Sequence, residues 1–547
     1  MTEVQKNTAV VLIIITVLTV LAYGNSLRGD FVCDDRPMII NNEKIASIEY
    51  LPHYFTHGVW DISNLGIKDE FLYRPLFLVY LFLNYQIWGV SPFGFHLASL
   101  LLHICNSILV FFLLRKVLLS QETIIPLLGT IIFAVHPVHT ESVSWISGAT
   151  DLILTFFFLS SFLFYLIYRD NHKSILLLLS IISFIFSLLS KEVAVVLPLI
   201  IIAYDYLKDK KIYTKNLFIF ILVTILYLLL RGTVLGGISG TLQFSFAGLK
   251  NVIEFISGYI KLLFIPWPLV FYFSISESDF INFKGVIFSA AAFISIVIYV
   301  IKDRKSLFPV IWIFVTLLPA LLLAFHSRPA FAERFLYLPS AGFVVFLAYL
   351  IEKPFEQYRK ITILFTSLII FVFSAITVRA NLEWKNDEVF YFKAIRNNQH
   401  YAGAYLGLAQ YYERKGQIEQ AIAVYTNSLN YIAKTDKSDV YEGIALIYGQ
   451  KGDTETSIYY YQKVLEINPK RSGALVGIGN NYFLKKEYSA ALHFYEEAFA
   501  IDKKNYEACY NLALINKILG NKTIAAYYYD ILSRIAPKSK YALSMYR

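Results

Sequence analysis

Gly29-Asp30-Phe31-Val32-Cys33-Asp34-Asp35-Arg36 follows the first apolar run of the chain, which extends from Ala9 to Tyr23. Two adjacent carboxylates therefore stand where a membrane helix would leave the bilayer. In an extended segment, neighbouring side chains point to opposite sides, so one can face a pocket while the other holds the loop. We expect Asp34 or Asp35 to act as a general base on an acceptor hydroxyl. The alternative is a solvated loop with helix-capping aspartates.

Composition divides the 547 residues into two parts. The chain is 57% hydrophobic and only 16% charged, with a mean hydropathy of +0.54, which is unlike a soluble globular protein. Charges are sparse before about residue 380 and dense after it. We therefore predict an all-α fold, with a polytopic membrane domain over residues 1–380 and a soluble helical domain over residues 381–547.

The distribution of charge and the few cysteines argue against nucleic-acid binding, a disulfide framework and a cysteine metal site. The net charge is +9, but the basic residues lie largely in short loops between apolar runs, as the positive-inside bias requires, so nucleic acid is not an expected partner. Cys33, Cys105 and Cys509 are isolated, which supports neither a disulfide framework nor a cysteine metal site.

Apolar runs define eleven candidate spans. They are residues 8–24, 97–114, 124–137, 152–168, 174–190, 193–207, 217–232, 284–301, 307–325, 335–351 and 361–378. The first is read as a retained span, since no good small-x-small cleavage site follows it. Placing Lys6 and the basic loops in the cytoplasm makes the eleven spans alternate consistently. The segments 76–90 and 256–272 are then interfacial or re-entrant on the outer side.

This topology collects polar residues on one face of the membrane. The Asp34-Asp35 stretch, Arg74, residues 136–151, Lys191-Glu192 and residues 326–334 all fall on the outer side, together with the C-terminal domain. Polar groups near membrane depth are costly and usually functional. Because the loop assignment did not use these residues, their common side independently predicts an active face.

The last part of the chain repeats itself. Gly452, Lys486 and Gly520 recur every 34 residues, and an earlier copy is offset by 36. Four segments each read as two helices and a turn: 404–432, 440–470, 474–504 and 508–538, with Pro469 and Pro537 closing two of them. This period is typical of tetratricopeptide repeats, which form a concave surface for extended peptide. The tyrosine runs 459–461 and 527–529 would grip peptide or, equally, pack between repeats.

Three cations are candidates for binding a phosphate. Arg74 precedes Pro75 at a predicted helix start, where the helix dipole and a guanidinium both favour an anion. Arg334 follows Glu333 at the outer start of a span; an ion pair with Glu333 or an interface anchor is the alternative. Lys191, next to Glu192, interrupts an apolar hairpin, where a buried charge is costly unless it serves a site or is paired.

His136, His139 and Glu141 leave two roles open. His136 and His139 are about one helical turn apart, so both could reach one divalent ion together with Glu141. The rival role is hydrogen bonding to phosphate or to sugar hydroxyls. Pro137 favours the start of a helix over its middle. Asp151 is expected to cap its span or to line the pocket.

Five motifs in order carry a family resemblance. They are Gly29 to Asp35 with Asn41-Asn42, Tyr73-Arg74-Pro75-Leu76, His136 to Gly148, Ser190-Lys191-Glu192 and Glu333 to Gly342. Followed by tetratricopeptide repeats, this set resembles the transmembrane and tetratricopeptide-repeat O-mannosyltransferases and their prokaryotic relatives, over nearly the whole chain. Ala149-Thr150 stands where the family usually carries Arg-Ala before Asp151.

The resemblance implies a GT-C fold and transfer of a sugar, mannose in this family, from a polyprenyl- or dolichyl-phosphate donor to protein hydroxyls. Asp34 and Asp35 would be catalytic. The donor would be bound by Arg74, His136, His139, Glu141, Asp151, Lys191, Glu192, Glu333 and Arg334. No cofactor is required, although a divalent ion is left open.

Two other functions fit the same sequence. The fold could glycosylate a lipid or a cell-wall glycan, with the repeats binding a partner protein. The chain could also be a non-catalytic membrane scaffold that displays the repeats. A multi-pass protein with a cytoplasmic N-terminus and extracytoplasmic repeats is expected, in a prokaryotic plasma membrane or, alternatively, the endoplasmic reticulum. A transporter is disfavoured, since the membrane part shows no internal repeat and no pair of broken helices.

Overall fold

The computed structural model describes residues 3–40, 42–63, 71–118, 123–237, 245–269, 273–274, 283–325 and 330–536. Asn41, Pro537 and residues 326–329, all named above, lie outside this part of the chain. The molecule divides into two compact units, Met1–Phe390 and Tyr391–Arg547. The division falls inside one helix, Asp387–Asn397, ten residues beyond the boundary at residue 380 that charge density predicts.

The first unit is built of helices, and the all-α prediction is confirmed. Its α-helices are α1 (Glu3–Tyr23), α2 (Asp35–Ile39), α3 (Glu43–Ala46), α4 (Val59–Ile62), α5 (Pro75–Trp88), α6 (Pro92–Leu118), α7 (Ile124–Ala134), α8 (Thr140–Ser144), α9 (Ala149–Asn171), α10 (Ser174–Ser190), α11 (Leu197–Asp209), α12 (Thr214–Leu235), α13 (Phe246–Phe264), α14 (Phe283–Lys302), α15 (Leu307–Leu322), α16 (Tyr337–Gln357), α17 (Arg359–Asn381) and α18 (Asp387–Asn397). Two short strands, β1 (Phe273–Ser274) and β2 (Ala330–Phe331), pair antiparallel with Phe273 opposite Phe331.

Seven helical segments of the described residues are long and apolar enough to cross a membrane, so the chain is a multi-pass membrane protein. They are 8–28, 92–118, 146–171, 214–235, 304–325, 333–357 and 359–384. Counting α7 and the bent continuation from Pro137 to Ser144 as one span raises the number to eight. The predicted count of eleven is therefore not confirmed. Each predicted span is helical, but α10 and α11 have 17 and 13 residues, fewer than the 20 or so that a full crossing needs.

Small polar residues let neighbouring helices approach closely. α9 and α10 pack along their length, and the Ser161 hydroxyl donates to the Ser180 carbonyl while the Ser180 hydroxyl donates to the Ser161 carbonyl, both at 2.7 Å. In the centre, His103 of α6 bonds through Nδ1 to the Tyr337 hydroxyl at 2.6 Å. Interhelical bonds of this kind replace those that water would supply. They fix α9, α10 and α16, the helices that carry the site described below.

The second unit consists of four antiparallel helix pairs, as the period predicts. The pairs are α19 (Ala402–Arg414) with α20 (Ile418–Ser428), α21 (Lys437–Gln450) with α22 (Thr454–Ile467), α23 (Ser472–Leu484) with α24 (Tyr488–Ile501), and α25 (Tyr506–Ile518) with α26 (Lys522–Ile535). The turn within each pair holds one residue of positive φ: Gly416, Gly452, Lys486 and Gly520, at 72°, 81°, 63° and 82°. The recurring glycine is explained by this left-handed backbone, which glycine adopts at little cost.

A tyrosine of one repeat packs on a glycine of the next. A Cβ added to Gly443 would lie 2.6 Å from Cζ of Tyr425, and one added to Gly477 would lie 2.2 Å from Cζ of Tyr461. The tyrosines of the runs 459–461 and 527–529 therefore differ in exposure to solvent. Tyr461 is buried between repeats, whereas Tyr459 and Tyr527 are 53% and 60% exposed.

Candidate active site

Asp35 joins the first acidic stretch to the loop before α9. Its carboxylate is fully buried and accepts hydrogen bonds from the backbone N–H of Val32 (3.0 Å), the backbone N–H of Ser147 (2.8 Å) and the Ser147 hydroxyl (2.5 Å). Burial raises the pKa of Asp35 to about 7, and the bonds from Ser147 and Val32 oppose this rise. Asp35 therefore connects the turn at Val32 to the loop that contains Ser147 and has a structural role.

Asp34 is the carboxylate that lies in the field of Arg334. It is half-buried, and among the described residues the Cys33 thiol is the one group that donates a hydrogen bond to it, at 3.4 Å. Burial raises the pKa of Asp34 above its usual value, while the Cys33 thiol and the Arg334 guanidinium lower it. A carboxylate with spare acceptor capacity and a raised pKa is suited to take up a proton near neutral pH.

Three ion pairs connect the other motifs to one another. Arg74 forms two bonds with Glu192, from Nη2 to Oε1 (2.7 Å) and from Nε to Oε2 (3.2 Å). Lys191 Nζ donates to both carboxylate oxygens of Asp151, at 2.7 and 2.8 Å. Arg334 pairs with Glu141 rather than with its neighbour Glu333, and its backbone N–H also donates to Glu141, at 2.9 Å.

These pairs lie close enough to influence one another. Burial lowers the pKa of Lys191, Arg74 and Arg334 lower it further, and Asp151 opposes the fall. The pKa of Glu192 is about 2, because Arg74 and Lys191 outweigh the effect of burial. The side chains of Arg74 and Arg334 are 15% and 19% exposed and that of Lys191 is 2% exposed. Arg74 and Arg334 can therefore meet a ligand, while Lys191 is enclosed by protein.

Helix ends place the charged groups. Arg74 directly precedes α5, with Pro75 as its first residue, as the sequence predicted. Asp151 lies in the first turn of α9, and Lys191 follows α10 directly. Arg334 belongs to a short 3₁₀ turn, Glu333–Leu336, that leads into α16. Because the spans end here, their polar connections meet at one end of the helical unit.

Gly148 makes the connection between α8 and α9 tight. A Cβ at this position would lie 2.4 Å from the backbone oxygen of Glu141, a distance that no side chain tolerates without a shift of the backbone. The close approach brings the neighbouring Ser147 onto Asp35 and starts α9 just before Asp151. Glycine is thus required here by packing.

The histidines of the third motif are held by the protein itself. His136 Nε2 lies 3.1 Å from the Leu263 carbonyl oxygen, and its Nδ1 accepts from the Val138 N–H at 3.3 Å. His139 Nε2 lies 2.8 Å from the Ser340 hydroxyl. No group of three or more His, Cys, Asp or Glu side chains in the described ranges is arranged to hold a metal ion. Glu141, which the sequence placed with His136 and His139 as a possible metal ligand, forms an ion pair with Arg334.

One residue of the site was not recognised in the sequence. Asp387, at the start of α18, is buried and accepts from the Cys33 backbone N–H at 2.9 Å and from Arg36 Nε at 2.5 Å. It thereby fixes the turn that carries Asp34, in which Cys33 has a left-handed backbone with φ of 53°. Asp387 lies beyond residue 380 in a region rich in charges, and no motif distinguishes it there.

Comparisons with known proteins agree with both halves of the chain. The tetratricopeptide-repeat family model matches residues 402–435 and 438–471. The Protein O-mannosyl-transferase F38B6.6 of Caenorhabditis elegans is 29% identical over 70% of this chain and 56% of that protein. The Protein O-mannosyl-transferase TMTC4 of Mus musculus is 27% identical over 70% of this chain and 61% of that protein. The Protein O-mannosyl-transferase TMTC3 of Homo sapiens is 22% identical over 93% of this chain and 66% of that protein. A crystal structure of MamA aligns with 27% of this chain at 18% identity and a TM-score of 0.24, covering 85% of that chain.

The chain spans a little over half to two thirds of the length of these curated relatives. The match to TMTC3 covers 93% of this chain, so it includes residues of both the membrane unit and the repeats. Over its membrane unit and its repeats, the chain is similar to proteins named protein O-mannosyl-transferases.

Proposed function

We propose that this chain is a membrane glycosyltransferase that moves mannose from a polyprenyl- or dolichyl-phosphate carrier to Ser or Thr hydroxyls of a protein, on the extracytoplasmic face. Relatives named protein O-mannosyl-transferases support transfer to protein. The observation that carries the proposal is the division of labour between the two aspartates. Asp35 is committed to the loop, which leaves Asp34 in the field of Arg334, and Arg334 belongs to the same charged group as Arg74 and Lys191.

The reaction balances with these groups. The Asp34 carboxylate takes the proton of the acceptor hydroxyl as the hydroxyl oxygen forms a bond to C1 of the sugar. The bond between C1 and the phosphate oxygen breaks, and its electron pair leaves with the polyprenyl phosphate. A positioned base of this kind typically contributes about 10²- to 10⁴-fold to the rate.

The cations would stabilise the departing phosphate. Arg74 uses two of its donors on Glu192, and a guanidinium has five, so N–H groups remain for phosphate oxygens. Arg334 lies close enough to Asp34 to lower its pKa, which would place the leaving phosphate near the base. Lys191, which is enclosed by protein, would add charge. Donors fixed in advance by ion pairs require little reorganisation when charge develops.

The repeats would present the acceptor polypeptide. Tetratricopeptide stacks bind extended chains on their concave face, and exposed tyrosines such as Tyr459 and Tyr527 offer rigid apolar contacts. The proposed partners are therefore the lipid-linked sugar, the bilayer that holds it, and an extracytoplasmic protein or peptide.

A transfer assay tests the proposal with the full chain, polyprenyl-phosphate mannose and a Ser/Thr-rich polypeptide. We expect Asp34→Asn to lose about 100-fold or more of the rate, because the base is removed, with thermal unfolding close to that of the parent. Asp35→Ala should lower the free energy of unfolding by about 2–4 kcal/mol, because buried donors of Val32 and Ser147 lose their acceptor.

The matched variants Asp34→Asn and Asp35→Asn, assayed side by side, define the outcomes that would contradict the proposal. If Asp34→Asn kept full transfer while Asp35→Asn lost it with an intact fold, the roles of the two carboxylates would be reversed. If both variants kept full transfer, neither aspartate would be the base. Absence of transfer from any lipid-phosphate sugar by the folded protein would favour the scaffold.

A further inference from the structure

A ligand-sized cavity lies away from the candidate active site, at the other end of α11. Its volume is about 840 Å³, and it opens between the ends of α6, α11 and α14, the start of α15 and the later part of α16. Cavities of this size hold small molecules or lipid headgroups. Lys191 and Glu192 precede α11, whereas Lys208 of this cavity lies at its end. The 13 residues of α11 separate the two sites by about 20 Å.

Four cations line the cavity: Lys208, Lys210, Arg304 and Lys305. Lys208 shares Asp170 with Lys116, at a distance of 3.9 Å. Lys210, Arg304 and Lys305 form no ion pair with any residue in the described ranges. Asp209 pairs with Arg169. Asp303, which accepts from the Lys305 backbone N–H, and Glu352 form no ion pair in the described part of the chain, and both lie close enough to Tyr349 of the lining to act on it. Three cations without an ion pair against two such carboxylates leave a net positive charge at the cavity, which favours an anion.

The rest of the lining is apolar and aromatic, and it includes Phe308 and Tyr349. Beside the cavity, α14 presents exposed apolar side chains along its length: Ile294, Ile298 and Ile301, which are 58%, 48% and 73% exposed. A free phosphate would gain nothing from this surface, whereas hydrocarbon chains would cover it. The cations of the cavity and the apolar surface of α14 beside it together fit an amphiphile with an anionic headgroup.

We propose that this cavity binds the phosphate headgroup of an anionic phospholipid, with its acyl chains along α14. Basic pockets between membrane helices on the cytoplasmic side are suited to such headgroups. The positive-inside bias places this end of the helices in the cytoplasm. The site is separate from the candidate active site, so the inference does not depend on the sugar-transfer reaction.

Native mass spectrometry of the full chain in detergent tests the inference. The probes are phosphatidylglycerol and phosphatidylcholine with identical acyl chains, each titrated from the lipid-free protein. We expect the parent to bind phosphatidylglycerol at least about tenfold more tightly. The combined variant Lys210→Gln, Arg304→Gln and Lys305→Gln should lose this preference, because each cation near an anionic lipid contributes about fivefold.

A charge-matched control separates a site from general surface charge. Lys353→Gln, Arg359→Gln and Lys360→Gln also remove one arginine and two lysines from exposed positions, outside the cavity lining. The control should retain the preference, and an equal loss in both combined variants would overturn the proposal. Equal binding of the two lipids by the parent would also overturn it, as would full displacement of phosphatidylglycerol by millimolar inorganic phosphate. If the combined variant were poorly folded, the three single substitutions, each expected to weaken binding about fivefold, would decide.

Discussion

The two adjacent aspartates differ because of what lies within hydrogen-bonding distance of each. Asp35 accepts three hydrogen bonds from Val32 and Ser147, and these bonds hold the acidic stretch against the connection before α9. Asp34 meets a weak thiol donor and the field of Arg334. The same side chain thus serves as a structural acceptor at one position and as a candidate base at the next.

The pH dependence of transfer should reflect Asp34. Burial raises its pKa, and a base acts only when deprotonated, so kcat/KM should fall with decreasing pH in a limb above pH 4, where an ordinary aspartate titrates. Arg334 lowers this pKa. The residual activity of Arg334→Gln should therefore show its acid limb at higher pH than the parent. The pH profile of kcat/KM for both proteins measures this, with Lys353→Gln as an unshifted control; a limb at pH 4 in the parent would contradict it.

Asp387 should act as a positioning residue for Asp34. Asp387→Ala removes the acceptor for the Cys33 N–H and leaves Arg36 with Asp30 alone, at 3.5 Å, so the turn loses its fixed geometry. We expect kcat to fall about tenfold or more with KM for the donor little changed, since misplacement of a reacting group costs rate. Asp387→Asn, which keeps one acceptor oxygen, should recover part of the rate. Unchanged kcat in Asp387→Ala would show that the turn is fixed without it.

At the scale of elements, the four turns of the repeats share one backbone conformation but not one residue. Gly416, Gly452 and Gly520 adopt the left-handed region without steric cost, whereas Lys486 adopts it with a Cβ. Left-handed backbone costs a non-glycine residue roughly 1–2 kcal/mol, partly offset by the greater freedom of unfolded glycine. The turn between α23 and α24 is therefore strained relative to its equivalents.

Exchanging the turn residues should change stability in opposite directions. Lys486→Gly is expected to raise the free energy of unfolding of the repeats by up to about 1 kcal/mol, and Gly452→Lys to lower it by about as much. Hydrogen exchange of the amides in α21 to α24 in the full chain would measure both local changes. A decrease with Lys486→Gly would mean that the lysine side chain makes a contact worth more than the strain.

At the scale of the whole molecule, the proposed chemistry and the proposed acceptor binding belong to different units. All the proposed catalytic and donor-binding residues, and Asp387, precede residue 391, where the second unit begins. A chain that ends at Asn398 keeps all of α18 and therefore Asp387. We expect this shortened chain to transfer mannose to short Ser/Thr peptides at nearly the parental rate, but to show a KM at least about tenfold higher for a long polypeptide. If the shortened chain and the full chain had equal KM values for the long polypeptide, the repeats would not present the substrate.

Sequence periodicity and composition determined the large features because each depends on local physical chemistry. Apolar runs such as residues 335–351 must be buried in lipid or protein, and every predicted span is helical. The 34-residue period predicted four helix pairs, and a single left-handed turn position explains its glycines. The number of spans was harder to predict, since α10 and α11 are apolar enough to suggest crossings but too short to establish them by length.

The amino-acid sequence alone determined the helical class, the membrane unit, the repeats and the residue types collected for the site. Only the tertiary structure decided their partners: Arg334 with Glu141 rather than Glu333, Lys191 with Asp151, and Arg74 with Glu192. It also distinguished Asp34 from Asp35 and brought Asp387 to their turn. The physical reason is that propensity and hydrophobic pattern act between near neighbours in the chain, whereas ion pairs and buried hydrogen bonds depend on which helix ends meet in space.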